Sequence, residues 1–390
     1  MPRFHLRRIT GRQSRCRKRR VVLAEPIPYD RAMRHVVAGF DVGGSKVALV
    51  VEDAGGGRAH RTVEATDTTS GAVRRVGGRL VYDGLARQLT RMLHTALEEL
   101  HRSQLLAAGV VSAGRIHAGG LLNPANIVAQ RVTPTARSAP LFFPLVEPLR
   151  EAFHCPVELV NDCCGAVLGE VYDGLGKGVA DKNSLHLAYV TISTGFGVGA
   201  WDRGHLVLGR HGNAGELGHL VIRPGGLRCS CGNLGCVEAY ASGPGLVRNA
   251  LARLHALDSE TERAAQWVQL IGEPETQDTG SVVPDASQAI LTPAMVFEAA
   301  SRNDTLSVSV VEDLVFAAGT AFATIANAYD PEVISVGGGI ALAHPELLPR
   351  IRAEMLRHLR ASPPEVLLTP LGSDAGERGA LAIARDVAAR

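Results

Sequence analysis

The sequence predicts a mixed α/β protein with two similar lobes and a cleft between them. A strand, a glycine turn and a second strand follow one another over residues 35–51, and the same arrangement recurs over residues 186–201. Helix-like stretches, with apolar residues three and four positions apart, separate these hairpins. Such interleaving favours a mixed sheet over a purely parallel one.

The first half begins with strands at residues 35–40 and 47–51, joined by the turn at Gly43 and Gly44. So short a glycine turn between two apolar runs predicts a β-hairpin. The elements that follow are an amphipathic helix with a Leu/Met stripe over residues 85–100, strands at 105–111 and 156–160, and a helix that starts after Asn161 and Asp162.

The second half repeats the pattern with strands at residues 186–191 and 196–201. Residues 254–290 are polar and lack periodicity, so we interpret them as an insertion or surface loop. A small-residue helix at 311–329, a strand at 333–336 and an Ala-rich helix from about Glu377 complete the chain.

The composition is that of an ordinary globular protein, with 41 Lys+Arg and 39 Asp+Glu in 390 residues, which excludes collagen, coiled coil and wholesale disorder. The charge is uneven, since residues 1–35 carry a net +9 and the remainder −7. A basic arm could bind nucleic acid or an anionic membrane. We expect instead a disordered extension over residues 1–34, or a start at Met33, and no specific nucleic-acid or membrane partner. No apolar run reaches about 18 residues and no secretory signal is evident, so we expect a cytoplasmic protein.

Three of the seven cysteines lie close together, at Cys229, Cys231 and Cys236, and His219 precedes them by ten residues. Three thiolates and one imidazole form a complete tetrahedral set for a structural zinc ion. The odd number of cysteines argues against a disulfide framework. The cluster therefore predicts a zinc loop over residues 219–236.

The stretch GNAGELGHLVIRPGGLRCSCGNLGCVEAYASG, residues 212–243, resembles the signature of the ROK family of sugar kinases and related repressors. The segments DVGGSK, LNPAN, VND and DPEVISVGGG agree with that family in the same order. The resemblance covers residues 36–390 apart from 254–290. It implies a two-lobed actin-like ATPase fold, related to ribonuclease H, and in the catalytic members phosphate transfer from ATP to a sugar hydroxyl.

Glycine turns can present backbone N–H groups to phosphate oxygens. In the family the corresponding turns face the ATP phosphates, Asp41 helps to hold the Mg²⁺-bound phosphates, and a later glycine turn admits the adenosine. The resemblance therefore implies an ATP site at Asp41, Gly43, Gly44, Ser45, Lys46, Thr194, Gly195, Gly197, Gly337, Gly338 and Gly339.

A sugar kinase also needs a base beside the attacking hydroxyl, and Asp162, at the end of a short strand, is our candidate. Without the family, an Asn-Asp pair after a strand is more often a helix cap. The family motif further implies sugar contacts from Asn126, Asn161, Glu216, His219 and Glu238, with His219 serving both zinc and sugar.

We expect an N-terminal lobe at residues 35–158, completed by a C-terminal helix at 377–390, and a second lobe at 159–376. The expected function is an ATP- and Mg²⁺-dependent hexose 6-kinase acting on glucose, and the family's common habit is a homodimer. Kinases of N-acetylmannosamine or N-acetylglucosamine are the alternatives, because in the family the same residues serve the amino-sugar kinases. Ala113, Cys163 and Cys164 depart from the usual pattern and leave the exact sugar open, whereas Ser45 replaces the usual threonine and keeps the hydroxyl. A sugar-responsive DNA-binding regulator is disfavoured, since the short basic segment before Asp41 has no periodicity for a helix-turn-helix domain.

Overall fold

The architecture is that of a computed structural model, which describes residues 33–53, 55–124, 127, 140–271 and 291–390. Residues 1–32 of the predicted basic extension, Asn126 and residues 272–290 lie outside the described residues. The strands are β1 (Arg34–Val42), β2 (Lys46–Asp53), β3 (Arg58–Ala65), β4 (Val73–Val76), β5 (Arg79–Tyr82), β6 (Ser103–Ser112), β7 (Arg115–His117), β8 (Gly120–Leu122), β9 (Leu141–Pro144), β10 (Val157–Asn161), β11 (His186–Ile192), β12 (Phe196–Asp202), β13 (His205–Leu206), β14 (Val333–Gly337) and β15 (Glu365–Leu368). The helices are α1 (Gly84–Glu99), α2 (Val146–Phe153), α3 (Asp162–Tyr172), α4 (Gly243–His255), α5 (Glu260–Ile271), α6 (Pro293–Ser301), α7 (Thr305–Tyr329), α8 (Gly339–Ala343), α9 (Leu347–His358) and α10 (Ala375–Ala389).

Two five-stranded sheets share one topology. The first has the order β10-β6-β1-β2-β3, and the second has the order β13-β12-β11-β14-β15. In the first, β1 pairs antiparallel with β2 and parallel with β6. In the second, β11 pairs antiparallel with β12 and parallel with β14. Both predicted hairpins are confirmed, and each opens one copy of the same mixed sheet.

A third sheet, of order β4-β5-β9-β8-β7, was not predicted from the sequence. Its strands are only three or four residues long. Runs this short show too few alternations to be distinguished from turns. Tyr82 and Phe143 meet edge to face in its core, with ring centroids 5.4 Å apart, and join this sheet to α1 and the first sheet.

Helix α1 confirms the predicted Leu/Met stripe, because Leu85, Leu89 and Leu93 are fully buried. Helix α7 begins at Thr305 and ends before Asp330, which adopts a left-handed conformation. Among the described helices it alone has the length and apolarity to cross a membrane, which the sequence analysis did not expect. Since 67% of its most apolar window is buried inside the protein, its apolarity is accounted for as a core helix.

The prediction of a surface loop from residue 254 is wrong over α5, which is helical from Glu260 to Ile271. Trp267 and Leu270 are the residues of α5 that are buried, and they pack into the core of the second sheet. Two apolar anchors in twelve residues give a weak periodic signal. The stability of α5 therefore comes mainly from its tertiary packing, which the local sequence does not reveal.

Helices α3 and α10 cross between the two large sheets. Helix α10 packs on β1 and β6, and α3 packs on β11 and β12. A Cβ atom at Gly379 of α10 would overlap the carbonyl of Gly165 in α3, so the two backbones touch where they cross. Likewise a Cβ at Gly39 would lie 2.8 Å from the backbone nitrogen of Leu381. Glycine is required at these crossings because no side chain fits.

Candidate active site

A cavity of about 360 Å³ lies between the two sheets, where strands from both halves end. Asp41 and Lys46 line it from the first sheet, and Thr191 and Ser193 line it from the second. Asp162, at the start of α3, also faces it. Polar groups from separate parts of the chain thus converge on one opening, as in ligand sites between the lobes of α/β proteins.

Asp162 is positioned by the junction of β10 and α3. Asn161 ends β10 in an extended conformation, and its Oδ1 accepts the N–H of Cys163 at 2.9 Å, so Asn161 is the N-cap of α3. Asp162 Oδ1 accepts the same N–H, also at 2.9 Å. Burial raises the pKa of Asp162, and the hydrogen bonds from Cys163 and Asn161 oppose that rise. The carboxylate is thus held at a helix N-terminus, where negative charge is favoured.

Asp41 is the second carboxylate of the cavity. Burial raises its pKa to about 7, and the negative charges of Asp162 and Glu377 add to the rise, whereas Lys46 opposes it. Glu377 is itself held by Arg61 through hydrogen bonds of 2.7 and 2.9 Å. A carboxylate surrounded by negative charge attracts cations, and carboxylate oxygens are ligands that Mg²⁺ prefers. The donor set around Asp41 therefore suits a hard divalent cation.

Three glycine segments meet at this cavity. The first turn closes with the N–H of Gly43 donating to the carbonyl of Lys46 at 2.9 Å. The second closes with Ser193 donating to the carbonyl of Gly195, also at 2.9 Å. Gly338 has a φ of +88°, and a Cβ there would lie 2.5 Å from Thr191 Oγ1, so the third segment rests against the end of β11. Of the residues predicted to bind ATP, Asp41, Lys46, Gly338 and Gly339 line the cavity, and Gly43, Gly44, Ser45, Thr194, Gly195 and Gly337 belong to the segments that adjoin it.

Gly197 is explained differently from the other glycines of the predicted ATP site. It lies in β12, beyond the turn. A Cβ atom there would overlap Cys163 Sγ on α3. Its lack of a side chain therefore serves the packing of α3 against the second sheet. The thiol of Cys163 is buried, and burial raises its pKa well above the usual value.

Three of the residues predicted to contact the sugar, Glu216, His219 and Glu238, lie near Asp162 but do not line this cavity. Burial raises the pKa of Glu216, and so do the charges of Asp162 and Glu238, whereas His219 lowers it. Glu216 Oε2 is 3.8 Å from His219 Nε2. Glu216 therefore lies within electrostatic reach of Asp162, His219 and Glu238. Asn126 lies outside the described residues.

Glu238 bridges two parts of the site. One carboxylate oxygen accepts the hydroxyl of Ser230 at 2.8 Å, and the other accepts the N–H of Phe196 at 3.2 Å. Phe196 directly follows the second glycine turn, and Ser230 lies between two of the clustered cysteines. The carboxylate therefore ties the cysteine loop to the glycine turn, a contact that the sequence analysis did not foresee.

The predicted metal ligands form one cluster. The ligand atoms of His219, Cys229, Cys231 and Cys236 all lie within 4.8 Å of one another. Cys229 Sγ is 3.6 Å from His219 Nδ1, which leaves Nε2 of the ring toward Glu216. Three sulfur atoms and one imidazole nitrogen at this spacing suit tetrahedral zinc. The donor set thus fits the group that the sequence predicted.

An ion-pair cluster that sequence reasoning missed anchors the cysteine loop to the core. Asp313 of α7 contacts Arg223 at 2.7 Å and Arg253 at 2.6 Å. The Arg223 guanidinium also lies over the rings of Tyr240 and Phe316, 5.0 and 4.7 Å from their centroids. Burial favours a higher pKa for Asp313, but its hydrogen bonds to Asn249 and the two arginines lower it below the usual value. No local pattern marks partners that are 60 or more residues apart.

This chain is similar to known proteins over most of its length. A sequence profile of the ROK family matches residues 37–387. The chain is 30% identical to a glucokinase of Halalkalibacterium halodurans, over 87% of this chain and 92% of the relative. It is also 30% identical to an N-acetylmannosamine kinase of Yersinia pestis, over 78% of this chain and 83% of the relative.

A crystal structure of a ROK family glucokinase from Streptomyces griseus, in complex with glucose and AMPPNP, superimposes with a TM-score of 0.63 at 28% identity. The match covers 90% of this chain and 99% of that one. The two-lobed, actin-like α/β fold expected from the sequence is therefore confirmed. With a profile match over nearly the whole described body and relatives at 30% identity, the chain belongs to the ROK family.

Proposed function

We propose that this chain transfers the γ-phosphoryl group of ATP to the 6-hydroxyl of a hexose, and that the hexose is glucose. The observation that carries the proposal is the place of Asp162. It lines the same cavity as Asp41, Lys46 and Gly338, and its charge helps to raise the pKa of Glu216. A phosphate donor and a sugar can therefore meet at this carboxylate.

The phosphate side of the reaction is assigned to the first sheet and the glycine segments. Backbone N–H groups at Gly44, Gly195 and Gly339, residues with no side chain of their own, would donate to phosphate oxygens. Mg²⁺, held through Asp41, would neutralise the charge of the transferring phosphoryl group. Lys46, which lines the same cavity, adds a positive charge at the mouth.

The sugar side is assigned to the loop that carries Glu216 and His219, together with Asn161, Glu238 and Asn126. Their carboxylate, imidazole and amide groups can pair with the ring hydroxyls and so fix the sugar. Asp162 then accepts the proton of the 6-hydroxyl as its oxygen attacks the phosphoryl group. Such a general base contributes about 10²–10⁴ in rate.

A structural zinc ion is proposed for His219, Cys229, Cys231 and Cys236. By coordinating both the three thiolates and His219, the ion would link the cysteine loop to the imidazole near Glu216. It would also hold Ser230 where it contacts Glu238. Metal binding in thiolate-rich sites contributes about 10–16 kcal/mol to folding of the loop that carries them. The zinc is therefore assigned to positioning and takes no part in proton or phosphoryl transfer.

N-acetylmannosamine is the second candidate substrate, because a kinase of that sugar is also 30% identical to this chain, over 78% of it against 87% for the glucokinase. The DNA-binding alternative receives less support. A ROK transcriptional regulator shares the fold at 22% identity, but this chain covers only 78% of that structure.

Three wider assignments belong to the proposal. We place the protein in the cytoplasm, where ATP and free hexoses meet, and we propose a homodimer, which light scattering after gel filtration would test. We also propose that the first lobe ends near residue 158 and is completed by α10. The packing of α10 on β1 and β6 supports that division.

Asp162→Asn is the decisive variant. The amide keeps the shape of the side chain but cannot accept the proton, so kcat should fall by about 10²–10⁴. A coupled assay with glucose, N-acetylmannosamine and N-acetylglucosamine, each with ATP and Mg²⁺, measures this and ranks the sugars. Asp258→Asn, at an exposed residue outside the cavity, is the matched control. Full activity in Asp162→Asn would overturn the mechanism, and no turnover of any sugar by the wild type would overturn the function.

A further inference from the structure

The side chain of Asn213 makes an unusual pair of hydrogen bonds with a single residue, Ile116. Its Oδ1 accepts the backbone N–H of Ile116 at 2.8 Å, and its Nδ2 donates to the carbonyl of the same residue at 3.1 Å. The Nδ2 also donates to the carbonyl of His211 at 3.1 Å. The amide thus engages both backbone groups of Ile116, as a neighbouring β-strand would.

Ile116 offers these groups because it lies in β7, the outer strand of the third sheet. In an antiparallel pair, alternate residues point their N–H and C=O groups away from the partner strand. Ile116 lies opposite Leu121 of β8, and its backbone groups face outward to Asn213. An edge strand with open donors and acceptors is a natural point of attachment.

The residues on the two sides of this contact belong to different halves of the molecule. Asn213 lies in the segment between β13 and Glu216, and that segment is fixed to the second sheet. The N–H of Val207 donates to the carbonyl of Ala200 at 2.9 Å, and a Cβ at Gly215 would overlap the carbonyl of Val198. Ile116 packs instead against the core beneath the first sheet. The contact therefore crosses the cleft, 97 residues apart in the chain.

We infer that Asn213 is a positioning residue that latches the loop carrying Glu216 to β7 and so holds Glu216 in place across from Asp162. The inference rests on the proposed function for its link to the sugar. Glu216 follows Asn213 by three residues. The latch restricts the loop close to the point where the sugar hydroxyls would be held.

Two hydrogen bonds to one backbone residue give the latch its expected effect. Their removal frees the loop, so the sugar must order it on binding, and the KM for the hexose should rise about tenfold. The described hydrogen bonds of the Asn213 side chain go to Ile116 and His211 and to none of the glycine segments. The KM for ATP should therefore stay within about twofold of the wild-type value.

The test compares Asn213→Ala and Asn213→Asp with the wild type, with His211→Ala as the control in the same loop. Alanine removes both bonds, and aspartate puts a carboxylate against the carbonyl of Ile116, so both should raise the hexose KM and spare the ATP KM. The side chain of His211 is exposed, and its substitution should change neither. Thermal unfolding of each variant distinguishes a local effect from loss of the fold.

Amide hydrogen exchange tests the latch without any substrate. Ile116 should exchange more rapidly in Asn213→Ala than in the wild type, whether or not the protein phosphorylates a sugar. A hexose KM and an Ile116 exchange rate that both stay within twofold of wild type would overturn the latch. Equal increases of both KM values with a lower unfolding temperature would also overturn it, in favour of a merely structural role. If the wild type phosphorylates no sugar but Ile116 still exchanges faster in Asn213→Ala than in the wild type, the latch is supported and the proposed function alone is contradicted.

Discussion

The two glycine turns that open the repeated sheets share a topology and differ in charge. The first lies beside Asp41, Lys46 and Glu377, and the negative charge of Glu377 adds to the rise in the pKa of Asp41. The second, from Ser193 to Gly197, has no ionisable side chain and is held from below by Glu238. The repeated sheet therefore provides a charged side that suits a metal–phosphate group and a neutral side that depends on the cysteine loop for its support.

The largest effect is expected from breaking the charged side. Asp41→Asn removes a carboxylate proposed to hold Mg²⁺, so kcat/KM for ATP should fall by about 10³. Asp53→Asn, at the half-buried far end of the same hairpin where Asp53 pairs with Arg34, is the control and should leave kcat/KM unchanged. Steady-state kinetics at saturating sugar measures both. A decrease of less than tenfold in Asp41→Asn would contradict the role given to this side.

The same variant should change how stability depends on pH. The pKa of Asp41 in the folded state is about 7, above its value in the unfolded chain. Its contribution to the free energy of unfolding is therefore full at low pH and is lost as the pH rises to about 7. Denaturant unfolding between pH 5 and pH 8 should show this loss in the wild type and a flatter profile in Asp41→Asn.

The next largest effect should come from breaking the support of the neutral side. Cys236→Ser removes one of four proposed zinc ligands, so the metal content should fall below stoichiometry and the hexose kcat/KM should fall by about 10². Elemental analysis and the coupled assay measure the two quantities. Cys155→Ser, at a buried cysteine outside the cluster, controls for loss of a thiol. Stoichiometric zinc in Cys236→Ser would exclude this thiol as a ligand.

The smallest effect is expected from weakening the contact between the cysteine loop and the second glycine turn. Ser230→Ala removes the hydrogen bond to Glu238 but keeps both the carboxylate and the cysteines. The loss of one partly exposed hydrogen bond should lower kcat/KM by about threefold to tenfold. Ser184→Ala, at an exposed hydroxyl far from the cluster, provides the comparison. If Ser230→Ala and Ser184→Ala behave alike, the loop does not act on the turn through this hydroxyl.

The sequence predicted the parts of the fold that local patterns encode. The hairpins around Gly43 and Gly195 and the helices α1, α3 and α7 all follow from strand length, helical spacing or turn chemistry. The third sheet was missed because its strands are too short to show an alternating pattern. Helix α5 was missed because, of its described residues, only Trp267 and Leu270 are buried. Elements held mainly by tertiary contacts leave little trace in a single sequence.

The site was predicted to the level of motifs and no further. The cysteine cluster was visible because its ligands lie close together in the chain. Glu377 and Asp41 are more than 300 positions apart in the chain, and Asn213 and Ile116 are 97 apart. No spacing rule in the sequence links partners at such separations. Asn161 shows the reverse case, since it is the helix cap that the isolated motif suggested, and it also adjoins the candidate base.

The crossing of α3 and α10 has a consequence for the precision of the site. Asp162 and Gly165 are three residues apart in α3, and Gly376 and Gly379 are three residues apart in α10, so each cavity-facing residue lies about 4.5 Å along its helix from the crossing. Because the helices touch there through backbone atoms, their spacing does not vary when side chains change rotamer on the picosecond to nanosecond timescale. The alignment of the two halves is thus fixed by the stiffest part of the chain, close to where the reacting groups would meet.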